Sequence, residues 1–349
     1  MSWMIYGASG HTGQLVAEQA IRHGQRPVLA GRSPERIEPL AARLGLEYRI
    51  ADLADPAALC AALEGIDVVA HCAGPFSATA APMIEACLAT GTHYLDITGE
   101  IDVFEAVYAR HAEAERAGVV LLPGAGFDVV PTDCVAAKLA ALVPGAIELD
   151  LAFKAAVKLG PGTVKTAIEG AGFGGKARID GEVRTVPIGH RRITAGFPSG
   201  PRMVTAIPWG DVSSAYRSTG IPNITTYTVV PLGGVLGKGH RLAAPLLRSP
   251  RVQRAGKTLA ERFVQRGAVA KDRRTEVWGQ ARDAEGHRVA LTLTTPDPIA
   301  LTADAVLAAA ARLSGEQRIE PGAHTPSTAF GADFALELEG VQLSEPVSG

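Results

Sequence analysis

IYGASGHTG, residues 5–13, sets Gly7, Gly10 and Gly13 between an apolar run, Trp3 to Tyr6, and a helical pattern that begins at His11. Glycine at such a turn lets backbone approach a ligand closely, and the free N–H groups that open the helix point at an anion. The strand–turn–helix context turns a common glycine spacing into the signal of a pyrophosphate cradle. The expected cradle is Gly7, Ala8, Ser9, Gly10, His11, Thr12 and Gly13.

Outward from this stretch, strand and helix patterns alternate. RPVLAGR, EYRIAD, DVVAHCAG, HYLDIT and VVLLPGAG read as further strands. Between them, SPERIEPLAARLG reads as a helix with Ser33 at the N-cap and Pro34 at the first helical position. VFEAVYARHAEAERAG reads as one long amphipathic helix. Six strands alternating with helices predict an α/β unit over residues 1–130, a Rossmann-type doubly wound parallel sheet.

The pattern changes near Pro131. TDCVAAKLAALV is one more helix. ELDLAFKAAV then alternates, with Leu149, Leu151 and Phe153 on one face. Asp180-Gly181 is a hairpin signal, and TEVWGQARDAEGHRVALTLTT reads as two strands around DAEG. Residues 131–299 are therefore expected to form a second, α+β domain with a mainly antiparallel sheet. TADAVLAAAARLSG is a helix with Thr302 as the expected N-cap, and the last dozen residues are expected to be poorly ordered.

The end of the second strand selects the cofactor. A site for NAD usually places Asp or Glu there, to accept from the ribose 2′-OH. Here Arg32 stands in that position, beside Ser33, and a guanidinium suits a 2′-phosphate. NADP(H) is expected, with Arg36 a second possible contact. Asp52, followed by Leu53, either bonds the adenine amine or caps the next helix. Ligands in open α/β sheets lie outside the carboxyl ends of the strands. That rule brings Cys72, Ala73, Gly74 and Pro75 of HCAGPF to the cofactor, with Gly99 of DITGE and Gly126 and Phe127 of PGAGF.

Composition narrows the class. Hydrophobic residues make up 47% and charged residues 20%, which supports a sizeable core and argues against disorder. A net charge of -2 gives no footprint for nucleic acid or an anionic membrane. Cys60, Cys72, Cys87 and Cys134 are far apart, and neither His71 nor His93 has a partner at metal-ligand spacing, so no metal is expected. No signal peptide and no spanning helix are read, so the expectation is a soluble cytoplasmic protein.

IYGASGHTG, LAGR, HCAGPF, THYLDITGE and LLPGAGFDVVPTD together resemble the saccharopine dehydrogenase-like reductases, and in particular their compact branch that includes trans-acting enoyl reductases. The resemblance continues through AIPWGDVSSAYRSTGIPNI (206–224) and TPSTAFGADFALEL (325–338). It implies an NADP(H)-dependent reductase of a C=C or C=N bond, with residues 300–349 returning to the cofactor domain. Clustered arginines for a multiply carboxylated substrate are not evident, which leans towards a less charged, acyl-like one.

Hydride transfer needs positioning and a proton source. Tyr216 in DVSSAYRST is the first candidate donor, and Lys165 in GPGTVKTAIEG another. Asp128, in the GFD turn, is expected to orient substrate or nicotinamide, or to cap the helix near Thr132. Asp211 completes the polar set, and Trp209 lines the substrate site or fills the core. A non-catalytic NADP(H)-binding sensor or scaffold is the alternative. A homodimer formed through the sheet of the second domain is expected.

Overall fold

The alternating first part of the chain forms a parallel sheet. The computed structural model describes residues 2–155, 174–229, 274–315 and 319–349. The strands are β1 (Trp3–Tyr6), β2 (Val28–Gly31), β3 (Tyr48–Ile50), β4 (Val68–His71), β5 (His93–Asp96) and β6 (Val120–Leu122). The intervening helices are α1 (His11–Arg22), α2 (Pro34–Leu44), α3 (Pro56–Leu63), α4 (Phe76–Thr90), α5 (Ile101–Ala109) and α6 (His111–Ala117). Every residue of β1, β2 and β4 is buried. Strands covered by helices on both faces need such unbroken apolar runs.

Contacts divide the chain into two units. The first holds Met1–Cys134 and Ile299–Glu339, and the second holds Val135–Pro298 and Gly340–Gly349. In the second, α7 (Val130–Leu142) leads to β7 (Glu148–Ala155), β8 (Gly175–Ile179), β9 (Glu182–Val186), β10 (Arg192–Phe197), β11 (Gly200–Ile207) and β12 (Asn223–Thr228). A helix at Asp211–Thr219 precedes β12, and β13 (Thr275–Arg282) and β14 (Arg288–Thr295) flank the DAEG turn. The helix Pro298–Leu313 and strand β15 (Gly322–Ala323) belong to the first unit, and β16 (Gln342–Leu343) and β17 (Val347–Ser348) to the second.

Strand order in the first sheet is β15-β6-β5-β4-β1-β2-β3, with every pair parallel. The order reverses between β1 and β4, which is where this architecture opens a crevice for a ligand. The second sheet runs β10-β11-β12-β7-β13-β14-β16, with β8, β9 and β17 attached. It is antiparallel except where β12 pairs with β7.

Leu149, Leu151 and Phe153 alternate along β7 and are all buried. Over this face lies α7. A Cβ added at Gly279 of β13 would stand 2.6 Å from Val135 Cγ1 and 2.9 Å from Leu139 Cδ1, so only glycine admits the helix here. The hairpin at Asp180-Gly181 has φ of 52° and 81°, two successive left-handed residues as a tight type I′ turn requires.

Three local expectations give way. The helix foreseen across VFEAVYARHAEAERAG breaks at Arg110 (φ −91°, ψ 10°), whose guanidinium turns to Glu113 at 2.8 Å. Thr302 is not an N-cap, because its helix starts at Pro298. The last residues are not loose: β16 and β17 both pair with β14, whose outer edge otherwise leaves backbone groups unpaired.

Gly279→Ala is expected to destabilise the second unit by about 2 kcal/mol, from overpacking against α7. Urea denaturation monitored by circular dichroism measures it. A midpoint equal to wild type would show that the helix yields freely.

Candidate functional site

The glycine loop is built by close packing. Gly7 has φ of +80°, and a Cβ there would lie 2.8 Å from both N and Cβ of Ala73. Gly13 sits in the first turn of α1, where a Cβ would come within 2.5 Å of the Gly7 carbonyl oxygen. The glycines thus press β1, α1 and the HCAGP loop together, backbone on backbone. Gly10 is the N-cap of α1, without a side-chain cap bond and without an acid in the first turn. The N–H groups of that turn face no internal anion, and these residues fit a pyrophosphate.

At the end of β2, Arg32 is exposed and forms no ion pair among the described residues. Ser33 is engaged, since its hydroxyl donates to Glu35 at 2.8 Å. Tyr6 lies between this end and β3. Its hydroxyl donates to Ala51 O at 2.9 Å, and burial, with the nearby Asp52 charge, pushes its pKa up to about 12. Arg32 opposes that shift, so Arg32 and Asp52 face the same region. Of the two roles open to Asp52, the helix cap belongs instead to Asp55, which accepts from Ala58 N–H at 3.0 Å. Asp52 closes a turn on Ala54 N–H at 2.9 Å. Leu53 packs against the core beneath it.

The carboxyl ends of β5 and β6 are tied by Asp96, which is fully buried. Tyr94 donates its hydroxyl to Asp96 Oδ2 at 2.6 Å. The N–H groups of Thr98 and Gly124 donate to Oδ1 at 2.9 and 2.8 Å, and Ala125 N–H to the Asp96 carbonyl at 2.7 Å. Burial outweighs these bonds and raises the carboxyl to about 6. Cys72 beside it is pushed up to about 12 by burial and by the Asp96 charge, so its thiol stays protonated.

Glu100 has a role that sequence reasoning missed. Its two carboxylate oxygens accept from Phe76 and Ser77 N–H, each at 2.9 Å. The N-cap of α4 is Pro75, which has no acceptor side chain, so an anion must come from elsewhere. An uncapped proline at that helix start was the available signal.

His71 is likewise structural. Its Nε2 lies 3.0 Å from Thr79 Oγ1, and that hydroxyl donates to Ala73 O at 2.6 Å. Burial lowers the imidazole to about 3, so it is neutral and holds the Ala73–Pro75 loop. His93 accepts from Val120 N–H at 3.0 Å through Nδ1.

The loop after β6 closes this side. Thr302 Oγ1 accepts from Phe127 N–H at 3.0 Å, which is its actual role. A Cβ on Gly126 would lie 3.0 Å from Thr302, and one on Gly99 would lie 3.0 Å from Asp128 Oδ2. Gly99, Gly126, Phe127 and Asp128 are therefore neighbours. Burial raises Asp128 to about 6.

In the second unit, Tyr216 lies in the helix Asp211–Thr219 and is 36% exposed. The Arg178 guanidinium stacks 4.2 Å from its ring centroid, while Arg178 also donates to the Val212 and Gly181 carbonyls. Trp209 packs on Phe153, with ring centroids 4.8 Å apart, and Asp211 is buried. Lys165 lies outside the described residues.

The parallel sheet order, the helix terminus open behind the glycine loop and the exposed arginine at the end of β2 are features of the Rossmann class. Residues 3–122 match the saccharopine dehydrogenase NADP binding domain, which supports NADP(H) as the cofactor of this unit. The chain is 30% identical over 227 residues to a saccharopine dehydrogenase-like oxidoreductase of Bos taurus, covering 56% of this chain and 52% of the relative. It is 35% identical over 138 residues to a trans-acting enoyl reductase of Mycobacterium leprae, covering 37% and 33%. The chain spans about half the length of the first of these relatives. Apo saccharopine dehydrogenase (L-Glu forming) from Saccharomyces cerevisiae shares the fold, with a TM-score of 0.67 at 14% identity over 100% of this chain and 99% of that one. Among the described residues, no helix is long and apolar enough to cross a membrane.

The Asp128 shift has a measurable sign. A carboxyl raised from 3.8 to about 6 stabilises the fold below pH 4 and loses that contribution as pH rises through 6. Wild type minus Asp128→Asn stability is expected to fall by about 2–3 kcal/mol between pH 4 and pH 7. Parallel urea curves at the two pH values would refute the assignment if the difference stayed constant.

Proposed function

We propose that the chain is an NADP(H)-dependent oxidoreductase that reduces a C=C or C=N bond of a small-molecule or acyl substrate. The observation that carries this reading is the uncapped start of α1 behind Gly7, Gly10 and Gly13, with the exposed Arg32 guanidinium at the end of β2. The first suits a pyrophosphate and the second a 2′-phosphate. The printed names of the relatives, oxidoreductase and enoyl reductase, are in keeping with it.

NADPH, when bound, supplies the hydride. The chain's part is to bind, orient and handle a proton. The loop of Cys72, Ala73, Gly74 and Pro75, braced through Thr79, positions the cofactor beside Gly99, Gly126 and Phe127. Asp128 orients nicotinamide or substrate from the same loop cluster. Tyr216 gives the proton to the carbon or nitrogen left by hydride addition, its ring steadied by Arg178. Lys165 is the other candidate for that role. A cytoplasmic homodimer completes the reading, with the exposed Met203 of β11 as an apolar contact group.

Stopped-flow NADPH oxidation across enoyl-thioester and cyclic-imine panels tests the activity. Turnover on one panel and not the other assigns the bond. Binding of NADPH with no oxidation on either would exclude a reductase of these bonds. Arg32→Ala is expected to raise KM for NADPH at least roughly tenfold and to leave KM for NADH nearly unchanged. Equal effects on both cofactors would remove Arg32 from the 2′-phosphate.

A further inference from the structure

The second unit contains a polar cavity of about 410 Å³ that the reductase reading does not use. Its floor is one face of the second sheet. The register sets Glu148 on β7 beside Arg282 on β13, and Arg282 opposite Arg288 on β14. Arg282 binds Glu148 through two nitrogens, at 3.0 and 2.9 Å. The Glu148 carboxylate is thereby committed, and Arg288 faces a like charge across the strands, an unfavourable pairing. Arg288 forms no ion pair among the described residues.

One row along β7, Asp150 accepts from the Tyr227 hydroxyl at 2.8 Å and lies 3.6 Å from Arg191. Three guanidinium groups (Arg191, Arg282 and Arg288) thus share the cavity with two carboxylates. One positive charge is in excess.

The wall carries a second kind of donor. β10 is the end strand of the sheet. Arg191 O accepts from Ala206 N–H at 3.0 Å, which fixes the phase of the ladder. Odd-numbered residues of β10 bond to β11, so the N–H and C=O of Thr194 point outward. Thr194 lines the cavity, as do the apolar Ile193 and Trp278.

We propose that this cavity binds a small organic monoanion, a carboxylate joined to a flat apolar body. The carboxylate pairs with Arg288 and takes the Thr194 N–H, and the body packs on Ile193 and Trp278. Guanidinium forks match carboxylates in plane and charge. A single excess charge matches a monoanion. A dianion would leave its second charge facing Glu148 and Asp150.

Benzoate is the probe, titrated calorimetrically into NADP⁺-loaded protein. Saturable binding is expected. R288Q is expected to weaken it at least roughly tenfold, the loss of one charge-assisted contact. T194P removes the outward N–H together with the threonine side chain, on an end strand that tolerates proline, and is expected to weaken it as well. R192Q, whose side chain alternates with those of Arg191 and Ile193 and does not line the cavity, is expected to bind as wild type. All three variants are expected to keep the wild-type NADP⁺ affinity, which reports intact folding. Three results overturn the proposal: no benzoate binding at millimolar concentration, equal binding by R288Q and wild type, or equal affinity for inorganic phosphate at matched ionic strength. Binding is read without turnover, so each of these leaves the reductase reading standing.

Discussion

One buried carboxylate organises the cofactor side of the first unit. Asp96 gathers a hydroxyl and two backbone N–H groups onto its oxygens, and a third N–H onto its carbonyl. Two of those N–H groups come from the loop after β6, and one from the loop after β5. The Ala73–Pro75 loop is set separately, by Thr79 and by contact with Gly7. Without Asp96, three buried donors would lose their acceptor, each at a cost of about 1–3 kcal/mol. The position of Asp128 depends on the same anchor, because its loop starts at Gly124.

The electrostatics of this region are set by desolvation. Asp96, Asp128, Cys72 and His71 are all shifted towards their neutral forms, and burial is the leading cause in each case. Two helix N–H groups of α4 meet the Glu100 carboxylate directly. At neutral pH the imidazole and the thiol are uncharged, while the two carboxyls near 6 keep most of their charge and lose it on mild acidification.

Much of the first unit was legible in the sequence because its signals are local. Strand runs, the Pro34 start of α2 and the glycines at 7, 10 and 13 each act within a few residues. The Asp180-Gly181 turn is equally local. Thr302 was misread because a threonine before an alanine-rich helix resembles a cap. Its real partner, Phe127, is remote in sequence. The break at Arg110 was hidden because its amphipathic pattern runs on without glycine or proline. Asp55 looked no different from Asp52, as both precede the same helix. The C-terminal strands are polar and short, and only the open edge of β14 gives them a reason to pair. The helix that carries Tyr216 was not read from sequence, and its stacking on Arg178 joins a strand and a helix that no local pattern links.

The unit boundaries carry a consequence for biosynthesis. The chain passes from one unit to the other after Cys134, after Pro298 and after Glu339. Strand β15, which flanks β6, emerges from the ribosome roughly two hundred residues later than its neighbour, and so does Thr302. Until then, β6 presents an uncovered edge and the Phe127 amide has no acceptor. Most of the second unit, Val135–Pro298, is synthesised in the interval. The nascent first unit is a template for mispairing during that time. A stop codon between Cys134 and Ile299 would yield a chain with the complete glycine loop and an unfinished sheet.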